Sequence, residues 1–290
     1  MKVTFSTEQK IAIELGRKER RRLIKECKRI ANRLGNVEFL EYIDSLIAGD
    51  SGVGKTYNIT RMLDELGIRY EKFSGNASIF GLMGRLMLLH AHKPAGEKMV
   101  VFLDDCDFLF QPENLNILKL MTSTQKTDRC FEYTKKISPK SFTEGVQQVL
   151  DQYLLDGGDT PGLVIPCDEF IFVIASNKVL ANDQTIKDMT RSQKAKAEHE
   201  LAIRGRFRMY DFELNKESKW GWLYDVAIND NGLYMLEDED QKLYLLDWVW
   251  QNWDRMKETS VRTIQKMGFE IVEDSEEYKD NWELDYLVKH

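Results

Sequence analysis

The sequence predicts an α/β domain built on a doubly wound parallel sheet, followed by a small helical domain, and three observations carry that expectation. Two continuous apolar runs, residues 99–103 and 170–175, have the length and composition of strands buried on both faces. Around them, helical spacing at residues 56–66 and 79–90 alternates with strand patterns at residues 39–48 and 68–73. Beyond Phe212 no further buried strand pattern occurs, and residues 220–228, 241–256 and 261–267 have helical spacing with Trp220, Trp222, Trp248, Trp250 and Trp253. In such a sheet ligands bind outside the carboxyl ends of the strands.

Each element follows from local chemistry. Residues 11–34 place Ile11, Leu15, Leu23, Ile24, Cys27, Ile30, Ala31 and Leu34 on one stripe of an amphipathic helix rich in lysine and arginine. The strand pattern of 39–48 runs into glycines, and the helix of 56–66 stops at Gly67. Residues 156–161 form the clearest loop. No repeat or low-complexity tract interrupts the chain.

At 290 residues, 42% hydrophobic and 31% charged, the composition is that of a folded, water-soluble chain and excludes a disordered one. The apolar runs fall well short of the roughly 20 residues of a membrane helix, and residues 1–10 lack an apolar signal core, so a cytoplasmic location is expected. Cys27, Cys106, Cys130 and Cys167 are too scattered for a zinc or disulfide framework and are expected as thiols. His90 and His92, two apart, face different sides of a helix rather than one metal.

The net charge of −7 hides an asymmetry. Arg17, Lys18, Arg20, Arg21, Arg22, Lys25, Lys28 and Arg29 crowd one end against Glu19 and Glu26, whereas residues 270–285 gather eight acids. Two such blocks suit a basic arm on nucleic acid, a basic helix meeting the acidic end of another subunit, or two solvated faces.

The chemistry concentrates at Gly49-Asp50-Ser51-Gly52-Val53-Gly54-Lys55-Thr56, a full match to G-x-x-x-x-G-K-[ST] between a strand pattern and a helix pattern. Its glycines let backbone N–H groups wrap phosphates, Lys55 reaches the β- and γ-phosphates, and Thr56 ligates Mg²⁺. Tyr57 follows in the helix's first turn and completes the expected binding segment. A dinucleotide loop is excluded because Tyr57 stands where its third glycine belongs. The strand of residues 99–103 ends in Asp104 and Asp105. Asp104 is the expected carboxylate for Mg²⁺, and Asp105 the expected group that orients or deprotonates the attacking water, with Asp107 able to share that work.

With these motifs in order, the chain resembles the AAA+ ATPases over about residues 36–270. Residues 170–177 look like the strand ending in that family's sensor-1 residue, which makes Asn177 the γ-phosphate and water contact. Leu201-Ala202-Ile203-Arg204-Gly205-Arg206-Phe207 is similar to the arginine-finger segment, with Arg206, or Arg204 in its place, reaching a neighbouring subunit's ATP. Arg262 in Ser260-Val261-Arg262-Thr263 resembles the sensor-2 arginine of the lid. Asp105 departs from the family's usual glutamate.

The resemblance implies a P-loop NTPase (AAA+) fold, a Mg²⁺-dependent ATPase, and a hexamer-like homo-oligomeric ring. The implied organisation is a basic helix at 1–35, a nucleotide-binding domain at 36–212, a helical lid at 213–270 and an acidic segment at 271–290. ATP rather than GTP follows from the family and from Leu180, which stands where a guanine-reading aspartate would be. The long interval from Asp104 to Asn177 implies an insertion around residues 130–166, open to a substrate-binding role. Residues 74–81 occupy the place of a pore loop, where Phe80 is either a gripping residue or a core anchor. The substrate expected first is nucleic acid, handled as by helicases, their loaders or other replication motors. A protein unfoldase and a monomeric nucleotide switch are the alternatives.

Overall fold

The computed structural model describes residues 3–34, 44–75, 78–135, 137–155, 162–178, 180–181, 190–273 and 277–288. The proposed loop at 156–161, the start of the expected first strand at 39–43, Asn76 and Ala77 of the proposed pore loop, and acids Asp274 and Glu276 lie outside the described residues. The chain forms two compact units, one of residues 27–49 and 59–211, the other of residues 1–26, 50–58 and 212–290.

In the first unit, β1 (Ser45–Gly49), β2 (Tyr70–Ser74), β3 (Met99–Asp104), β6 (Phe170–Ser176) and β7 (Arg208–Phe212) make a sheet in the order β2-β3-β6-β1-β7. The pairs β2–β3, β3–β6 and β1–β6 are parallel. Every residue of β1, β3 and β6 is buried, as their apolar composition dictates. Register places Ala48 opposite Ser176 and Asp104 opposite Ala175, so three strands end level at their carboxyl ends.

Helices cover this sheet. Leu82, Met83, Leu86 and Met87 of α3 (Ile79–His92) share a core with Val101, Leu103, Phe172 and Ile174. Ser78 caps α3, its hydroxyl accepting from the Gly81 N–H at 3.1 Å. The expected insertion is part of this core. β4 (Cys130–Tyr133) and β5 (Leu163–Pro166) pair antiparallel, and α5 (Glu144–Leu150) between them packs Val146, Val149 and Leu150 into the same cluster. Phe80 sits edge-on to Tyr133 at 5.2 Å and near Phe142 at 6.2 Å, so of its two expected roles the core anchor is the one observed. The strand expected over 39–48 is found as β1, and β4, β5 and β7 are strands that periodicity did not reveal.

The base of the sheet holds a buried ion pair. Asp44 is 4% exposed, and its carboxylate accepts from Arg129 at 2.8 and 3.0 Å and from the Phe172 N–H at 2.8 Å. Its carbonyl accepts the Arg208 N–H at 2.9 Å. Burial pushes the Asp44 carboxyl up from its ordinary value, against the lowering effect of Arg129 and of the Phe172 N–H.

The second unit is helical. The first twenty residues of α1 (Thr7–Leu34) belong to it, with α7 (Lys216–Asn229), α8 (Glu239–Asn252), α9 (Val261–Glu273) and α10 (Tyr278–Tyr286). Ser6 and Gln9 exchange hydrogen bonds at 2.8 and 3.2 Å as a capping box that starts α1. Ala12 and Ile13 join Trp220, Leu223, Leu246, Ile264 and Trp282 in one core. Gly16 and Gly221 let α1 and α7 touch backbone to backbone, since a Cβ at Gly221 would lie 1.8 Å from the Ala12 oxygen. Asp225 of α7 accepts from Arg17 at 3.2 Å and from Arg20, which also reaches Asp230. Burial alone would raise the Asp225 carboxyl, but the hydrogen bonds from Arg20 and Asn229 outweigh it and hold it below its ordinary value. No helix among the described residues is long and apolar enough to cross a membrane.

Replacing Arg129 by Met strips Asp44 of its counter-ion, and an expected loss of about 3–5 kcal/mol follows from leaving a buried charge unpaired. The folded-state pKa of Asp44, already raised, then rises further. The penalty is full above that folded pKa and is relieved as pH falls through it. Denaturant midpoints of wild type and Arg129→Met should therefore converge as pH falls through that raised pKa.

Candidate nucleotide-binding site

In the helical unit, residues 50–58 form a tight loop leading into α2 (Lys55–Glu65). Gly52 and Gly54 have φ of 76° and 74°, left-handed values that glycine adopts without strain. Space constrains the same loop, because a Cβ on Gly52 would lie 2.9 Å from the Ser260 Cβ. The N–H of Asn58 returns to the Gly54 carbonyl at 2.9 Å and closes the first turn of the helix. Lys55 is buried and donates to the Asp50 carbonyl at 2.7 Å, holding its ammonium across the loop. Asp50 is tied by its N–H to the Phe212 carbonyl at 3.2 Å and by its carboxylate to Lys219 at 3.5 Å. Ser51 and Tyr57 are exposed, Val53 is buried, and Thr56 is half-buried.

The start of α9 abuts this loop. Ser260, 3% exposed, caps α9 by accepting the Thr263 N–H at 3.2 Å, and the Gly52 backbone packs on it. Arg262 is exposed in the first turn and makes no hydrogen bond or ion pair among the described residues. The structure thus brings Arg262 and the glycine loop into one unit.

In the sheet unit, the level ends of β3 and β6 gather Asp104, Asp105, Asp107, Ser176 and Asn177. Asn177 donates its amide to Asp105 at 3.1 Å, and the Ser176 hydroxyl donates to Asp107 at 3.1 Å. Asp105 has a φ of 53° and its N–H bonds the Ala175 carbonyl at 2.9 Å. Aspartate and asparagine tolerate that left-handed backbone better than longer side chains do. Asp104 is buried, and Lys72 of β2 pairs with its carboxylate at 3.0 Å while lying 5.7 Å from the Phe102 ring. No sequence signal links residue 72 to residue 104, and the pair is visible only in the β2–β3 register, where Ser74 faces Asp104. Cys106 beside them is buried, and burial followed by the Asp104 charge pushes its thiol up to about 12, which keeps it protonated.

The two candidate finger arginines differ. Arg204, at the end of α6 (Arg191–Arg204), is committed to Asp211 and to the Leu180 carbonyl at 3.3 Å. Arg206 lies in the turn that follows, half-buried, with its guanidinium folded onto the Ala202 carbonyl. Lys119 is near enough for Arg206 to lower its pKa, after the larger effect of burial, and contacts His199 at 2.7 Å.

Among the described residues no group of three or more histidines, cysteines and carboxylates could enclose a metal by itself. The Thr56 hydroxyl and the Asp104 carboxylate, each in its own unit, are oxygen groups of the type Mg²⁺ takes as ligands. The left-handed conformations of Gly52 and Gly54 are those of a loop whose backbone turns around a phosphate chain.

A sheet ordered β2-β3-β6-β1-β7, parallel from β2 through β1, with a glycine loop leaving β1 for a helix, defines a P-loop NTPase fold with additional C-terminal helices. No family model matches the chain, and no curated protein does. Solved structures that resemble it include the Thermotoga maritima RuvB Holliday junction branch migration motor, at 15% identity and a TM-score of 0.44 over 89% of this chain. A point mutant of the same protein aligns at 13% identity and a TM-score of 0.45. This chain spans 62% of the length of the first of these structures and 63% of the second.

A β-branched side chain at residue 105 cannot relax in the left-handed region. Asp105→Val is expected to cost about 1–2 kcal/mol in denaturant unfolding, with a smaller loss for Asp105→Asn.

Proposed function

We propose that the chain is an oligomeric ATPase of the AAA+ class that binds ATP with Mg²⁺ and uses its hydrolysis to move or remodel a polymer, in the first place nucleic acid. The observation that carries the ATPase reading is the glycine loop itself, wound with left-handed glycines around the Lys55 ammonium at the head of a helix. Lys55 and the N–H groups of residues 52–57 hold the phosphates, and Thr56 with Asp104 holds Mg²⁺. Mg²⁺ held there would neutralise charge on the phosphates. The hydrogen bond from Asn177 orients the Asp105 carboxylate, which takes up the role of water-positioning base. Arg262 reaches the nucleotide of its own subunit, and Arg206 swings from the Ala202 carbonyl toward the nucleotide of a neighbour. Arg204 stays with Asp211.

A nucleic-acid substrate is favoured by the basic first helix. The contacts of Phe80 with Tyr133 and Phe142 support its reading as a core anchor over the gripping residue that the unfoldase alternative needs.

Steady-state hydrolysis across protein concentrations tests the proposal, with and without single-stranded DNA, duplex DNA or an unfolded protein. The expected outcome is a rate per subunit that rises with concentration and with DNA, and a loss of about 10³-fold in Arg206→Ala with nucleotide binding retained. Lys55→Ala should lose nucleotide binding. Activity independent of concentration and indifferent to Arg206→Ala would leave a solitary P-loop enzyme.

Lys72 competes with a divalent cation for Asp104. Lys72→Met is expected to lower the Mg²⁺ concentration that half-saturates binding of a fluorescent ATP analogue by about threefold, in keeping with 0.2–1 kcal/mol for a partly exposed ion pair. An unchanged Mg²⁺ dependence would show that Lys72 does not weigh on the metal site.

A further inference from the structure

Seven of the eight cations between residues 17 and 29 divide into two sets, and the eighth, Arg29, is exposed and has a partner of its own. Arg17 and Arg20 turn inward and are neutralised by Asp225 and Asp230. Arg22 pairs with Glu19 at 3.3 Å and lies over the Phe212 ring. Lys18, Arg21, Lys25 and Lys28 are exposed and have no ion pair or side-chain hydrogen bond among the described residues. Their spacing puts these four within an arc of about 80° on α1, opposite the buried face of Ala12, Leu23, Cys27 and Ile30. Lys10 extends the row, and Glu14, the acid on this face, is engaged by Arg17 at 3.0 Å. Lys10, Lys18 and Arg21 also line a shallow groove along the helix with Ile11, which is 55% exposed.

We infer that this row is a binding site for the phosphate backbone of a nucleic acid. The inference rests on the polymer-acting reading above and names where the polymer is held. Lys18 to Lys28 spans about 15 Å of helix, and one strand presents a phosphate about every 3.4 Å along a duplex axis, so the row matches about four phosphates. A protein with 48 acids against 41 lysines and arginines has no general attraction for a polyanion, so any affinity must come from such a local row. The acidic end of a second copy fits less well. Helix α10 has nine residues, a rise of about 13 Å, and its acids Asp280, Glu283 and Asp285 share it with Lys279.

The experiment compares the full-length chain with the variant Lys18→Gln, Arg21→Gln, Lys25→Gln, Lys28→Gln. Anisotropy of a fluorescein-labelled oligonucleotide of about 30 nucleotides, single-stranded and duplex, is followed from roughly 50 to 200 mM KCl. Wild type should bind with log K falling linearly in log salt, and the variant should bind at least about tenfold more weakly with a slope shallower by about three. Nucleotide affinity and melting temperature should stay unchanged, since the four side chains are exposed and unpaired. A variant that binds as wild type does, with the same slope, overturns the α1 site while leaving the polymer reading intact. Failure of wild type to bind either oligonucleotide overturns both. A variant that keeps its DNA affinity but no longer sediments as an oligomer overturns the inference by making the row a contact between subunits.

Discussion

Everything in the sheet unit depends on how Asp44 is held. Its carboxylate joins Arg129 and the Phe172 N–H, and its carbonyl joins the Arg208 N–H, so one residue ties the start of β1 to β6, to β7 and to the segment leading into β4. A carboxylate this deep is costly unless every lone pair is used. The cost selects one register for β1, because a slip by a residue would take the charge away from its partners. β1 ends five residues later at Gly49, level with β3 and β6, so the pin at the base of the sheet also fixes where the glycine loop begins.

At the other end of the strands, the acids are arranged by backbone geometry as much as by charge. Asp105 occupies a left-handed conformation, bonded through its own N–H to β6 and through its carboxylate to Asn177. Asp104, one residue earlier, remains in the strand and faces Lys72. Two neighbouring carboxylates thus have different surroundings: one is buried against an ammonium, the other exposed beside an amide.

The glycine loop, β3 and β6 were legible in the sequence because their signals are local: a fixed spacing of special residues and unbroken apolar runs. β7 was not, because Arg208 and Asp211 break its apolar pattern at the edge of the sheet. The β4–β5 pair escaped because its strands have four residues each and stand thirty apart in the chain. Helix α10 was hidden by its acids, although Trp282 is wholly buried and packs against Trp248 and Tyr278. Within the candidate site, Asn177 and Asp105 were nameable from order, whereas their hydrogen bond, the Lys72 contact and the commitment of Arg204 to Asp211 depend on tertiary neighbours. The basic block could be counted but not divided, since the partners of Arg17 and Arg20 lie some two hundred residues away.

That same separation governs how the chain is made. The apolar face of α1 finds Trp220, Leu223 and Trp282 only when the last eighty or so residues exist, and the Gly16 contact with Gly221 has no substitute nearer in sequence. At about 5–20 residues per second, α1 waits on the order of ten to forty seconds for its partner. Through that interval Ala12, Ile13 and Leu23 face water or a chaperone, which makes the newborn chain's hazard one of timing rather than of final stability.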